Sequence, residues 1–167
     1  MLYLLDNKVW LFFVTNPLTE VHIRELARKL NLSPTTVLKL LAPLMKKDLL
    51  KTKKEGKNTI IASNYDNELF IFYKKWSNLV LLIDSEIISE IKVNNPNSIV
   101  LFGSYSIGED TEKSDIDIAT DVNVKINIEK YETILKRKIQ IHNINNSINP
   151  LLLENIKQGI LLYGVMK

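Results

Sequence analysis

No cysteine occurs among the 167 residues, so disulfides and cysteine-ligated zinc are both excluded. Histidine is nearly absent too: His22 and His142 stand isolated, and each is expected to serve structure rather than a metal. Neither has a motif context that pairs it with Ser104 or Ser106, which leaves a serine-nucleophile hydrolase without support. Long apolar runs are missing, none approaching the ~18 residues a transmembrane helix takes. The apolar start MLYLLDNKVWLFFV lacks a basic lead and a small-residue cleavage site, so it reads as a core helix and not a signal peptide. A cytoplasmic chain with no membrane partner is the expectation. Internal repeats and low-complexity tracts are also lacking.

Hydrophobic residues make up 46% of the chain, which supports a packed core rather than disorder. The length suits one large or two small domains. Net charge is only +3, but it is unevenly placed. Residues 22–57 carry ten Lys or Arg against three Asp or Glu, a net +7, which leaves −4 for the remainder. A basic front half beside a mildly acidic remainder suggests a division of labour.

Hydrophobic spacing orders the front half. Residues 7–15 predict a first apolar helix, ending before Asn16-Pro17. Thr19-Glu20-Val21-His22 is expected to open a second, with Thr19 as cap and Val21, Ile23, Leu26, Ala27 and Leu30 along its stripe. Ser33 is a good N-cap and Pro34 suits the first helical position. They predict a third helix from Pro34 to about Lys47, which Pro43 should kink or end early. Two strand-like runs, 49–54 and 58–62, flank the turn signal Glu55-Gly56-Lys57 as in a hairpin.

This order of helix, helix, turn, helix and hairpin resembles the winged helix-turn-helix of archaeal and bacterial regulators. The resemblance implies DNA as partner, with the third helix entering the major groove by its N-terminal end. Thr35, Thr36 and Lys39 are the exposed polar candidates there, and Lys51, Lys53, Lys54 and Lys57 would meet phosphates from the wing. Any single lysine is better explained as keeping an edge hairpin soluble; the cluster as a whole favours nucleic acid. Some winged helices bind protein or pair subunits instead, and a symmetric homodimer is a reasonable expectation for a DNA binder of this kind.

Between Asn64 and Asn94 there is neither Gly nor Pro, so the stretch is no flexible linker. Leu69, Phe70, Phe72, Tyr73, Trp76, Leu79 and Val80 predict one amphipathic helix, and Ile83, Ile87, Ile88 and Ile91 a second that ends before Asn94-Asn95-Pro96.

The most informative stretch is VLFGSYSIGEDTEKSDID, residues 100–117. Ser98-Ile99-Val100-Leu101-Phe102 reads as a buried strand, stopped at Gly103-Ser104. Asp115 and Asp117 follow, separated by one apolar residue, and on a strand they share a face while Ile116 points to the core. Two carboxylates so close repel each other, and the commonest relief is a hard cation such as Mg²⁺ with phosphate oxygens. Gly103-Ser104 adds backbone N–H groups and a hydroxyl for a phosphate.

Gly103-Ser104, Gly108 and Ser114-Asp115-Ile116-Asp117 resemble, in order and spacing, the minimal nucleotidyltransferases of the DNA polymerase β-like superfamily. The closing NPLLLENIKQGILLYG looks like that family's last helix and strand. The resemblance implies transfer of a nucleoside monophosphate from a nucleoside triphosphate to an acceptor hydroxyl. In it Asp115 and Asp117 would be catalytic and hold Mg²⁺, while Gly103, Ser104 and Ser114 would bind the nucleotide. Two residues depart from the pattern. The third carboxylate of active relatives falls at Gln140, on a strand predicted over 138–142, and an amide neither binds Mg²⁺ well nor acts as a base. Ile107 stands where many relatives place an arginine. Asp121 lies about 13 Å from Asp117 by strand rise, too far to substitute.

The expected fold is α+β. A winged helix-turn-helix domain over 1–64 and a helical connector over 65–94 lead to a nucleotidyltransferase-like domain over 95–167, a mixed sheet with flanking helices. Two functions stay open at this point. One is an Mg²⁺-dependent nucleotidyltransferase whose winged helix selects or orients a partner. The other is a DNA-binding regulator whose second domain only binds nucleotide or serves as scaffold, which Gln140 and Ile107 favour.

Overall fold

The computed structural model describes residues 2–56, 58–145 and 149–165. The chain divides into two compact units, residues 1–77 and 78–167. Among the described residues no helix is long and apolar enough to cross a membrane.

The first unit starts with α1 (Leu2–Leu5) and α2 (Lys8–Thr15). Asn7 caps α2: its Oδ1 accepts from Val9 N and Trp10 N at 3.0 and 3.1 Å, and its Nδ2 donates to Leu40 O at 2.8 Å. Strand β1 (Val21–His22) leads directly into α3 (Ile23–Leu30), which ends on Asn31 in the left-handed region. Helix α4 (Pro34–Lys46) is capped by Ser33, whose Oγ accepts from Thr36 N, and it continues past Pro43 to Lys46. Strands β2 (Leu50–Glu55) and β3 (Asn58–Ser63) form the hairpin, and the sheet order is β1-β3-β2, antiparallel throughout. Trp10, Phe13, Leu26, Val37, Leu44 and Ile61 are fully buried in this unit.

One expected helix start is corrected here. Thr19 does not cap the second helix; Val21 and His22 pair with Ile61 and Ile60 of β3, and α3 begins only at Ile23. The β-branched, buried Val21 gains ladder hydrogen bonds from a strand about forty positions away, and those outweigh a local helical turn.

Helix α5 (Glu68–Asp84) contains the division between the units. The second unit continues through α6 (Ile87–Lys92), β4 (Ser98–Phe102), α7 (Gly103–Ile107), β5 (Ile116–Thr120), α8 (Ile128–Leu135), β6 (Ile139–Asn143), α9 (Pro150–Lys157) and β7 (Ile160–Gly164). Its sheet order is β6-β5-β4-β7, with β5 and β6 parallel and the other neighbours antiparallel. All five residues of β4 are buried, as expected of a strand covered on both faces. Alternation splits them: Ile99 and Leu101 join Ile116, Ile118, Tyr131 and Leu135 on one face, while Val100 and Phe102 meet Ala119 and Ile156 on the other.

The sheet start is pinned by Asp121, whose carboxylate accepts from Asn97 N at 2.8 Å, from Ser98 N at 3.2 Å and from the Asn97 side chain. Burial raises its pKa, but these hydrogen bonds lower it more, so it lies below the ordinary aspartate value. Asp121 therefore serves the strand ends.

Candidate functional site

The site begins where β4 stops. Gly103 has φ of +73°, in the left-handed region, and a Cβ there would stand 2.6 Å from Asp117 Oδ2. Glycine is thus required twice over, for backbone conformation and for room beside the carboxylate. Phe102 pairs directly with Asp117, so the antiparallel ladder sets the Gly103 turn against that acid. Ser104, half-buried, opens the short α7, and Gly108 closes it in the left-handed region. Ile107, just before Gly108, is 47% exposed and brings no charge.

Asp117 lies in β5 and Asp115 immediately before the strand, where Ile116 N donates to Lys138 O at 2.8 Å. Ile116 is buried in the core, and the two acids face β6 on the opposite side. There Gln140 Nε2 donates to Asp115 Oδ2, and His142 Nε2 stands 3.3 Å from Asp117 Oδ1. The His142 ring also meets Phe102 edge-on, with centroids 5.2 Å apart. Gln140 is the register partner of Asp117, so the parallel ladder brings it to the position where a third acid was sought. Ser114 Oγ accepts from Thr111 N at 2.9 Å and closes the loop before the acids.

A buried polar network beneath α7 has no signal in the sequence. Asp110 is fully buried, and its carboxylate accepts from Asn78 Nδ2 at 2.6 Å and lies 3.5 Å from Arg137 Nη2. Asn78 Nδ2 also donates to Tyr105 O at 3.0 Å, and Tyr105 OH donates to Asn78 O at 3.3 Å. Burial first, then the Asp110 charge, push the Tyr105 hydroxyl above its usual range, and Arg137 offsets part of this. These contacts tie α5, α7, the 109–115 loop and the start of β6 together. On the α8 side, Glu132 accepts from Ile139 N at 3.0 Å and Lys138 Nζ at 2.9 Å. The Lys138 hydrogen bond leads in holding the Glu132 carboxyl below its ordinary value.

An open cleft of about 490 Å³ adjoins Asp115, bordered by Lys113 and Ser114 before β5 and by Thr133 and Lys136 of the α8 end. Its size is that of ordinary small-molecule sites. Among the described residues no three His, Cys, Asp or Glu side chains are grouped to hold a metal. Asp115 and Asp117 are the residues that would hold one hard cation, two carboxylates on one face, with the Asp117 side chain 26% exposed. Mg²⁺ is commonly bound by one or two carboxylates together with substrate phosphates, so these residues fit a cation that shares its shell with a phosphate.

In the first unit Thr35 and Lys39 are exposed on α4, while Thr36 is half-buried with Oγ1 2.8 Å from Ser33 Oγ. Leu38, next to Lys39, is exposed as well. Lys51, Lys53 and Lys54 are exposed on the edge strand β2, and Lys51 Nζ lies 3.1 Å from Asp66 Oδ2. Lys57 lies outside the described residues. Arg24 and Arg28, exposed on α3, add cations that the motif-based reading did not single out.

Comparison with known families divides the chain in the same order. Residues 5–62 match the model of a winged helix DNA-binding domain, and residues 85–166 match that of Polymerase beta, Nucleotidyltransferase. No curated protein matches the chain.

Proposed function

This chain joins a winged helix DNA-binding domain to a domain of the polymerase beta nucleotidyltransferase family, and from that premise we propose that it transfers a nucleoside monophosphate from a nucleoside triphosphate to an acceptor hydroxyl while docked on DNA. The observation that carries the reading is the approach of Gly103 to Asp117, so close that a Cβ at residue 103 would stand 2.6 Å from Asp117 Oδ2, which sets the glycine turn directly against one acid of the pair. Asp115 and Asp117 would hold Mg²⁺, and the backbone N–H groups and hydroxyl of Gly103 and Ser104 would hold the phosphates. Bound there, Mg²⁺ would neutralise triphosphate charge and polarise the reacting phosphoryl group. The rest falls to the chain: Gln140 orients Asp115, His142 orients Asp117, and Ser114 fixes the loop that carries them. With an amide at Gln140, two carboxylates remain for the cation, and slow turnover is the expected consequence.

Turnover is measured as pyrophosphate release from a nucleoside triphosphate with Mg²⁺. Gln140→Asp is expected to raise it about 10- to 100-fold, by supplying a third acid beside Asp115 and Asp117. The same substitution places three like charges together, so without Mg²⁺ its melting temperature should fall by a few degrees and recover when Mg²⁺ is added. Nucleotide binding without turnover in either form would leave a nucleotide-sensing DNA binder instead.

On the DNA side, Thr35 and Lys39 of α4 would reach the major groove, with Leu38 offering apolar contact to thymine methyls. Lys53 and Lys54 would meet phosphates. Affinity for duplex DNA should fall linearly on a log–log salt plot, and Lys53→Ala with Lys54→Ala should flatten the slope by about 2. A slope unchanged by both substitutions would assign these lysines to solubility alone.

A further inference from the structure

Helix α7 is five residues long, too short to hold its own geometry in water. Its carbonyls are met one by one. Ser106 Oγ donates to Gly103 O at 2.7 Å, and Ser104 O accepts from Gly108 N and, at 3.0 Å, from Glu109 N. Tyr105 O is met from another element. Asn78 Nδ2 of α5 donates to it at 3.0 Å, and Tyr105 OH returns a bond to Asn78 O at 3.3 Å. Both residues are buried, so the two bonds form a clamp screened from water. The same Nδ2 lies 2.6 Å from Asp110 Oδ1, so one amide holds both α7 and the loop that follows it.

We propose that Asn78 is a positioning residue, which aims the Gly103-Ser104 turn at phosphate by fixing Tyr105. The inference rests on the nucleotide site proposed above and names what sets its geometry. Ser104 adjoins Tyr105 in a helix of little more than one turn. Whatever fixes the Tyr105 carbonyl and ring therefore fixes where the Ser104 hydroxyl points. Direction matters more here than it would beside a cation. Ile107 brings no charge to this helix, so the grip on phosphate falls to neutral donors. A hydrogen bond weakens steeply when misaligned, whereas a point charge tolerates a change of angle. The Gly103 end also has no slack, because a Cβ there would already stand 2.6 Å from Asp117 Oδ2.

The test uses the full chain. ATP, GTP, CTP and UTP are titrated in turn with Mg²⁺, and the tightest binder becomes the probe. In Asn78→Ala its Kd and KM are expected to rise about 10-fold, while kcat at saturation changes by less than about 2-fold. That split follows because the turn grips phosphate alike in the ground and transition states. Without nucleotide, hydrogen exchange of the 103–108 amides should speed by about 10-fold in the same variant. Tyr105→Phe removes one bond of the clamp and should raise Kd about 3-fold. Ile91→Ala, a cavity at a fully buried position of α6, should lower the melting temperature at least as far and leave Kd within about 2-fold. Unchanged exchange at 103–108 in Asn78→Ala, or a Kd that simply follows melting temperature across the three variants, overturns the inference. Should the alanine chain fail to fold, Tyr105→Phe decides, and an unmoved Kd there overturns it equally. Failure of the inference leaves native binding intact. A native chain that binds none of the four triphosphates instead overturns the transferase reading, and the phosphate role of Asn78 with it.

Discussion

Alanine at Asp117 is expected to cut turnover by about 10²- to 10³-fold and to abolish Mg²⁺-dependent binding of nucleoside triphosphate in calorimetry. The side chain is 26% exposed, lies beside the Gly103 turn and contacts His142. Its loss leaves Asp115 as the one carboxylate at the proposed cation site, with Gln140 still donating to it. The change should not unfold the domain, because it removes one of two neighbouring like charges and no core contact. Retained Mg²⁺-dependent nucleotide binding in the Asp117→Ala chain would move the site elsewhere.

Arg137→Ala acts through the fold. The Arg137 side chain is 5% exposed, and its partner Asp110 is fully buried. Deleting the guanidinium leaves a buried carboxylate whose charge is no longer balanced by Arg137, a situation that costs about 3–5 kcal/mol. The loss is read from urea unfolding of the full chain, followed by a probe of the second unit. Asp110→Asn combined with Arg137→Met should recover much of the stability, because a neutral pair has no charge to desolvate. A single-variant loss below about 1 kcal/mol would mean that Asn78 and solvent suffice for Asp110. Since Asn78 also holds Tyr105, nucleotide binding is expected to weaken along with stability.

Local signals carried far in this chain. Ser33 before Pro34 marked the start of α4, and the apolar run ending at Gly103 marked β4. The face shared by Gln140 and His142 was legible from strand alternation, and so was their opposition to the acids once the family pattern was recognised. Thr19 misled, because a helical stripe runs through Val21 while its backbone is claimed by β3. Asp110 and Arg137 were invisible because a charged residue is ordinarily exposed, and only long-range packing brings these two together.

The sequence alone determined α2, α4, the β2–β3 hairpin and β4, the paired acids, the glycine turn and the basic front half, since each rests on spacing over a few residues. Tertiary structure decided which side chains touch: Gln140 on Asp115, His142 on Asp117, Asp110 near Arg137. Among the described residues it also placed β7 and β6 at the two edges of the sheet. Those outcomes depend on strand order and register, set by burial summed over the whole domain, and no local pattern records that sum.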